Sequence, residues 1–425
     1  MEANLLKNKK GYVVWLICVL FYFYEFLLRT ILGTFQGPIT QDLQLTPLRF
    51  ALLSSTAYLL IYGLMQIPVG LIVDKFGLKK SLTCAAIICA FATIGFANSH
   101  SFAMAVLFRF FMGLGSSFGF IGLLIAVYDW MPRKNIAMFV GLSQLLGTMG
   151  PMVAAGPLNS LAEASIITWR SLFDILGGVG LTCAALIFVL VDKNRGSKNS
   201  FIILSRPTAV LKNVWLIVKD PQIWLLALFH AFIYFSLEYL SENECKQFLM
   251  TRGFSSGYAS YMITLAWLGF ALGSPVFGFI SDKIMRRKPI LLFSAATTFI
   301  CLSSIIYAPT NELTNALLFF FLGVGIGSSS VCIVLLSEQC KSSYLAAGLG
   351  FNNAVTMMFV SIAAPLVGML LEHLNHNSSN LLQNYHTAFY LLVLCPGLAL
   401  LIGIFIIKET FGKNIREPLI LQVKR

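Results

Sequence analysis

The chain has 425 residues, of which 57% are hydrophobic and only 11% charged. A water-soluble globular chain is about one-quarter charged, so a soluble fold is excluded. The net charge of +12 would suit nucleic acid or an anionic lipid surface, and the placement of the basic residues along the chain decides between them.

Apolar runs long enough to cross the ~30 Å hydrocarbon core as helices recur throughout, and none shows the short alternation of a membrane barrel. Spans are predicted near 12 to 36, 48 to 73, 81 to 98, 102 to 128, 136 to 158, 169 to 191, 222 to 244, 257 to 281, 289 to 308, 313 to 336, 344 to 371 and 387 to 408. Lys7, Lys9 and Lys10 precede the first run, as in a secretory signal. That run is too long, carries Glu25 and Arg29 and lacks a small-residue cleavage site, so it reads as a span. With the N-terminus inside, 24 of the 30 lysines and arginines fall in cytoplasmic segments. Arg49, Arg170, Lys246 and Arg252 fall outside, and Arg29 and Arg109 lie within spans. This asymmetry predicts both termini in the cytoplasm and makes the excess charge topological, not a nucleic-acid footprint. The expected location is a cytoplasmic membrane, the inner one in a bacterium.

The polar stretch 193–220 divides the chain. The predicted organisation is a six-helix bundle over 1–192, a cytoplasmic linker over 193–220, a second six-helix bundle over 221–409 and a basic tail over 410–425. An internal repeat supports it. Gly70-Leu71-Ile72-Val73-Asp74-Lys75 returns as Gly278-Phe279-Ile280-Ser281-Asp282-Lys283, and at the same offset Lys79 and Lys80 map onto Arg287 and Lys288, and Pro157-Leu158 onto Pro365-Leu366. Duplicated halves are a recurrent carrier design, with the solute site between them.

Gly70-x-x-x-Asp74-Lys75-x-Gly77-x-Lys79-Lys80 resembles the signature loop of the major facilitator superfamily, and Gly278 to Lys288, with Asp282, Lys283 and Arg287, is its degenerate copy. Arg109-x-x-x-Gly113-x-Gly115 and the loop Trp130-Met131-Pro132-Arg133-Lys134 are similar to the same family, and the likeness covers essentially the whole chain. It implies an all-α membrane protein of twelve helices in two pseudo-symmetric bundles. It also implies gating loops whose glycine permits close helix contact and whose aspartate pairs with basic residues across the halves when the protein is open outward, the pairs breaking as it opens inward. Gly147-Thr148-Met149-Gly150-Pro151 resembles the drug-exporter motif only loosely. No GxxxxGK[ST] loop is present, so the carrier is expected to run on an existing gradient. Gly323, Gly325 and Gly327 suit a close-packing helix face.

Charge inside a span costs ~2.5 kcal/mol or more at the helix centre and is a functional candidate. Glu25 and Arg29 lie one turn apart, close enough to pair. Tyr22-x-Tyr24-Glu25-x-x-x-Arg29 resembles the first span of the organic anion carriers of the superfamily. The likeness implies that Arg29 binds a carboxylate or phosphate, with Glu25 as counter-ion or proton carrier; the alternative is a permanent structural pair. Arg109 is read as a second solute-binding cation or a structural arginine. His230, Tyr234 and Glu238 share one face of the seventh span. His230 and Glu238 are proton-coupling candidates, and Glu242 and Glu244 read as outer-loop charges. Gln144, Asn352 and Asn353 could bond the solute or neighbouring helices, and Tyr234 and Trp267 could wall the site.

The nine cysteines show no ligand spacing, and His373, His376 and His386 sit in a polar outer loop without an acidic cluster, so no metal or other cofactor is expected. No catalytic constellation is visible, and an enzyme is not expected. The sequence predicts a monomeric, bilayer-embedded carrier importing a small organic anion, amino acid or zwitterion, coupled to protons. The alternatives are an exporter of a siderophore or drug-like compound and a non-transporting solute sensor.

Overall fold

The structure, a computed structural model, describes residues 2–132, 136–164, 166–191, 214–341 and 344–413. Arg133 and Lys134, most of the linker, from 193 to 213, and the tail beyond 413 lie outside the described residues.

Among the described residues, twelve helices are long and apolar enough to cross a membrane: α1 Lys10–Thr34, α2 Pro47–Phe76, α3 Leu78–Ala97, α4 Phe102–Trp130, α5 Met138–Glu163, α6 Trp169–Leu190, α7 Pro221–Glu242, α8 Ser256–Ile284, α9 Lys288–Tyr307, α10 Glu312–Glu338, α11 Ala347–Asn377 and α12 Leu381–Phe405. Helices are forced here because hydrocarbon offers backbone amides no partner, so each must bond within its own segment. The starts are chemically marked. Ser101, Thr168, Ser255 and Asn311 accept backbone N–H bonds at the heads of α4, α6, α8 and α10, and Asp220 does so before Pro221 at the head of α7. Gly77, at φ +84°, makes the turn from α2 to α3. Apolar side chains such as Phe91, Phe188, Phe279 and Phe405 stand exposed on the outside of the bundle, where lipid would cover them.

Packing repeats between the halves. α1 meets α5 and α3 meets α6, as α7 meets α11 and α9 meets α12. The halves join through α1 with α7, α2 with α11 and α5 with α8. One end of this seam is tightly closed. A Cβ on Gly33 of α1 would fall 2.1 Å from the Ser241 carbonyl oxygen of α7, so the two backbones touch. At that end Ser54 donates to Asn243 (2.7 Å), Thr56 to the Ser361 carbonyl (2.6 Å), and Lys246 to Asn159 and the Thr34 carbonyl. Deeper in the bundle, Asn353 donates to Gln66 across the same seam at 2.8 Å. Gly323 and Gly327 admit the α8 backbone at Ala266 and Phe270, the close approach expected of small residues in membrane helices.

Candidate functional site

Just beneath the closed end, Arg29 of α1 faces α7. Its Nε lies 2.7 Å from Oε1 of Glu238, and its Nη2 donates to the Tyr234 hydroxyl at 3.0 Å. The Nε–H is not aimed along the line to Glu238, which makes this a charge contact and not a directed hydrogen bond. The guanidinium rests 3.9 Å above the Phe26 ring, with Tyr62 of α2 5.8 Å away. Phe26 in turn meets Trp267 of α8 edge-on at 5.1 Å, and Trp267 meets Phe270 at 5.5 Å. A single cation is thus held in an aromatic collar with one acid and one hydroxyl from the opposite half.

The expected pairing of Glu25 with Arg29 within α1 is not what forms. Glu25 is fully buried, its carboxylate takes the Tyr58 hydroxyl at 3.4 Å, and its side chain fills the space left by Gly119, where a Cβ would stand 2.7 Å from the Glu25 Cγ. Residues one turn apart can pair, but here the facing helix supplies Arg29 with a closer acid.

Arg109 is also corrected. Its Nη1 donates to the Leu28 carbonyl (2.8 Å) and its Nη2 to the carbonyls of Arg29 (3.0 Å) and Ser54 (2.9 Å). A carbonyl oxygen has a second lone pair after its helical bond, and Arg109 uses three of them to clamp α1 to a π-turn in α2, Leu52–Thr56. Both terminal nitrogens are occupied by backbone, so the reading of Arg109 as a solute ligand gives way to the structural one.

Other candidates form separate contacts. His230 Nδ1 lies 3.0 Å from Thr356 Oγ1 and 3.4 Å from Asn352 Nδ2, and its ring stacks on Tyr234 at 5.7 Å. Gln144 accepts the Tyr22 hydroxyl at 3.3 Å. Trp267 is fully buried and donates to Ser241 at 2.8 Å, so it ties α8 to the end of α7. The structure therefore brings Arg29, Tyr234, Glu238 and Trp267 into one group and links His230 and Asn352 to it through Tyr234. It sets Glu25 with Tyr58, and Gln144 with Tyr22, to the side.

Sequence reasoning missed the polar seam above this group. Glu242 and Glu244 are not outer-loop charges, because both are buried. Ser55 donates to Glu242 at 2.9 Å, Asn243 donates to Ser55 at 3.0 Å, and Tyr385 donates to Glu244 at 3.0 Å. Burial pushes the Glu244 carboxyl above its ordinary range, against the hydrogen bonds of Gln36 and Tyr385. The adjacent Ser54, Ser55 and Thr56 inside an apolar span were the available signal.

At the opposite end lie the signature loops. Gly70 is buried, Asp74, Gly77 and Lys79 are half-buried, and Lys75, Lys80 and Lys283 are exposed. Lys79 lies 5.1 Å from the Phe188 ring. A Cβ on Gly278 would meet nothing within 4 Å, so that glycine serves no close contact here. Asp282 pairs with Arg287 of its own loop at 2.6 Å, and Arg287 reaches Glu338 at the end of α10 at 2.8 Å, all within one half. Glu409, after α12, accepts the backbone N–H groups of Arg287 and Lys288. Among the described residues, no three His, Cys, Asp or Glu side chains gather as a metal set.

The profile of the Major Facilitator Superfamily matches residues 18–243 and 246–419. Over 330 residues the chain is 26% identical to a probable sulfoacetate transporter of Cupriavidus necator, covering 72% of this chain and 75% of that one. Over 310 residues it is 24% identical to a probable nitrate/nitrite transporter of Mycobacterium tuberculosis (71% and 74% covered). Over 362 residues it is 24% identical to an efflux pump of Mycolicibacterium smegmatis (79% of each). Its fold is similar to that of a bacterial homologue of the human lysosomal transporter Spinster, with a TM-score of 0.73 at 18% identity over 93% of this chain and 97% of that one.

Proposed function

Since the chain belongs to the major facilitator superfamily and is a multi-pass membrane transporter of small solutes, not an enzyme, we propose that it carries a small organic anion together with protons by alternating access. The observation that carries this reading is Arg29 held at 2.7 Å by Glu238 of the opposite half. A carboxylate, sulfonate or phosphate presents the same oxygens to the guanidinium as Glu238 does, and an arginine fork suits them geometrically. Solute and Glu238 compete for one cation. Protonating Glu238 removes the competitor, so anion and proton enter the site together. The Tyr234 hydroxyl supplies a second polar contact, and Phe26, Trp267 and Phe270 cover the organic part.

The units 1–192 and 221–409 are the moving bodies of this scheme. With the basic residues placed inside, the closed end at Gly33 and Asn243 faces outward and the signature loops face the cytoplasm. The relatives whose names give sulfoacetate and nitrate/nitrite carry anions, which supports the solute class. The efflux-pump relative of equal similarity favours a second reading, export of a drug-like compound, on the same scaffold.

A thermal-shift screen of the purified protein tests the site, since a ligand raises Tm by mass action. Sulfoacetate, acetate, lactate, glucuronate and glycerol phosphate should include stabilisers of the wild type that fail to stabilise Arg29→Ala. Stabilisation of both proteins by bulky neutral or cationic compounds alone would overturn the anion reading in favour of export.

A further inference from the structure

Four buried acids and two buried arginines occupy the seam and the layer beneath it: Glu25, Glu238, Glu242 and Glu244 against Arg29 and Arg109. Fully ionised, the set carries two uncompensated negative charges in a region that pays heavily for them. Glu238 and Glu242 are one turn apart on α7, both without solvent exposure, a spacing that puts their side chains on one face of the helix. Ser55 donates to Oε2 of Glu242, but Oε1 of Glu242 and both oxygens of Glu238 receive no hydrogen bond from the rest of the protein. Two carboxylates have no hydrogen to offer each other, whereas a carboxyl and a carboxylate have one.

We propose that Glu238 and Glu242 form a proton site, a carboxyl pair that holds one shared proton while the seam is closed. The proton satisfies one bare oxygen on each acid and removes one of the uncompensated charges. The charged and titratable groups facing the pair are Tyr22, Glu25 and Arg29 from α1, Tyr62 from α2 and Arg109 from α4, with Tyr234 on α7 itself. Of the two acids Arg29 pairs with Glu238, and Arg109 is committed to backbone carbonyls, so neither cation neutralises Glu242 by contact. Opening the seam separates α7 from α1 and α2. It withdraws Ser55 and Arg29 and admits water, which exchanges the proton of the pair with that side, the O–H bond breaking to water and re-forming from it. Reclosing traps the pair with its one proton, so anion and proton are taken from the same side.

This inference deepens the proposed carrier function by naming the acid that loads the proton, but its test needs no solute. Infrared pH-difference spectroscopy on the wild-type protein in liposomes should reveal a buried protonated-carboxyl C=O band near neutral pH. A component of that band should be lost in Glu242→Gln and in Glu238→Gln and retained in Glu25→Gln and in Glu244→Gln, with all variants monodisperse and helical. A wild type without the band, or a band unchanged in Glu242→Gln, would overturn the pair. Either result leaves solute binding at Arg29 to be judged by the thermal-shift screen, so the two readings fail separately.

Discussion

Arg29 of α1 and Glu238 of α7 meet at 2.7 Å across the two halves of the protein, and the Tyr234 hydroxyl, one turn from Glu238, accepts from the same guanidinium at 3.0 Å. The contact makes the cation proposed for the solute also a fastener of the seam. Glu238→Gln removes the charge that competes with an anion but keeps the shape. It should bind the anion at least as well as wild type, while a pH gradient no longer accelerates uptake. Comparing anion Kd with gradient-driven uptake in this variant checks the assignment; a Kd weakened tenfold with coupling intact would contradict it.

Arg109 should behave as a structural residue. Arg109→Ala leaves three buried carbonyls without their second partner and a hole beside Tyr58. An unmade buried hydrogen bond costs about 1–3 kcal/mol, so a loss of roughly 3 kcal/mol or more in stability is expected, read as a large fall in Tm. Whatever Arg109→Ala protein folds at low temperature should keep its anion Kd within a few fold of wild type.

Gly33 should control the closed end. A Cβ there would stand 2.1 Å from the Ser241 carbonyl, and backbone cannot rotate away as a side chain can. Gly33→Ala is predicted to hold α1 and α7 apart, abolishing transport while leaving the anion site loadable. In detergent, a maleimide should label Asn159→Cys, beside Lys246, faster when Gly33→Ala is also present.

Glu409 sets a pH dependence at the other end. Burial raises its carboxyl, but the backbone N–H groups of Arg287, Lys288, Phe411 and Thr410 together outweigh burial and hold it below the usual glutamate range. A depressed acid stabilises the folded state above its unfolded pKa and loses that contribution as pH falls through the folded one. Tm of the wild type should therefore decline modestly as pH drops below about 4.3, the ordinary glutamate value. Glu409→Gln should start lower at neutral pH and show a shallower decline.

The architecture was legible because hydrocarbon imposes a length and composition on every span, and because the loops at Asp74 and Asp282 repeat at one spacing. The site was legible in part. A charge inside an apolar run marks itself, which is why Arg29 and Glu238 stood out, and the four-residue spacing placed Tyr234 with Glu238. Their union is a tertiary fact that no local pattern encodes, so Arg29 reads as the partner of Glu25 until α7 is seen opposite. Arg109 misleads for a related reason, since its partners are backbone carbonyls, which have no sequence signature. Glu242 is hidden by its place at a helix end, where an acid usually meets water. Only the seam, with Ser55 and Asn243 folded over it, keeps water out.

The most direct test of anion transport through Arg29 is counterflow in proteoliposomes. Vesicles loaded with the anion that most stabilises the wild type should accumulate the labelled anion transiently, faster when the vesicle interior is alkaline. Arg29→Ala should reduce the rate to that of protein-free vesicles, with Arg29→Lys retaining part of it. Undiminished counterflow in Arg29→Ala, or a rate indifferent to the pH gradient, would contradict the account.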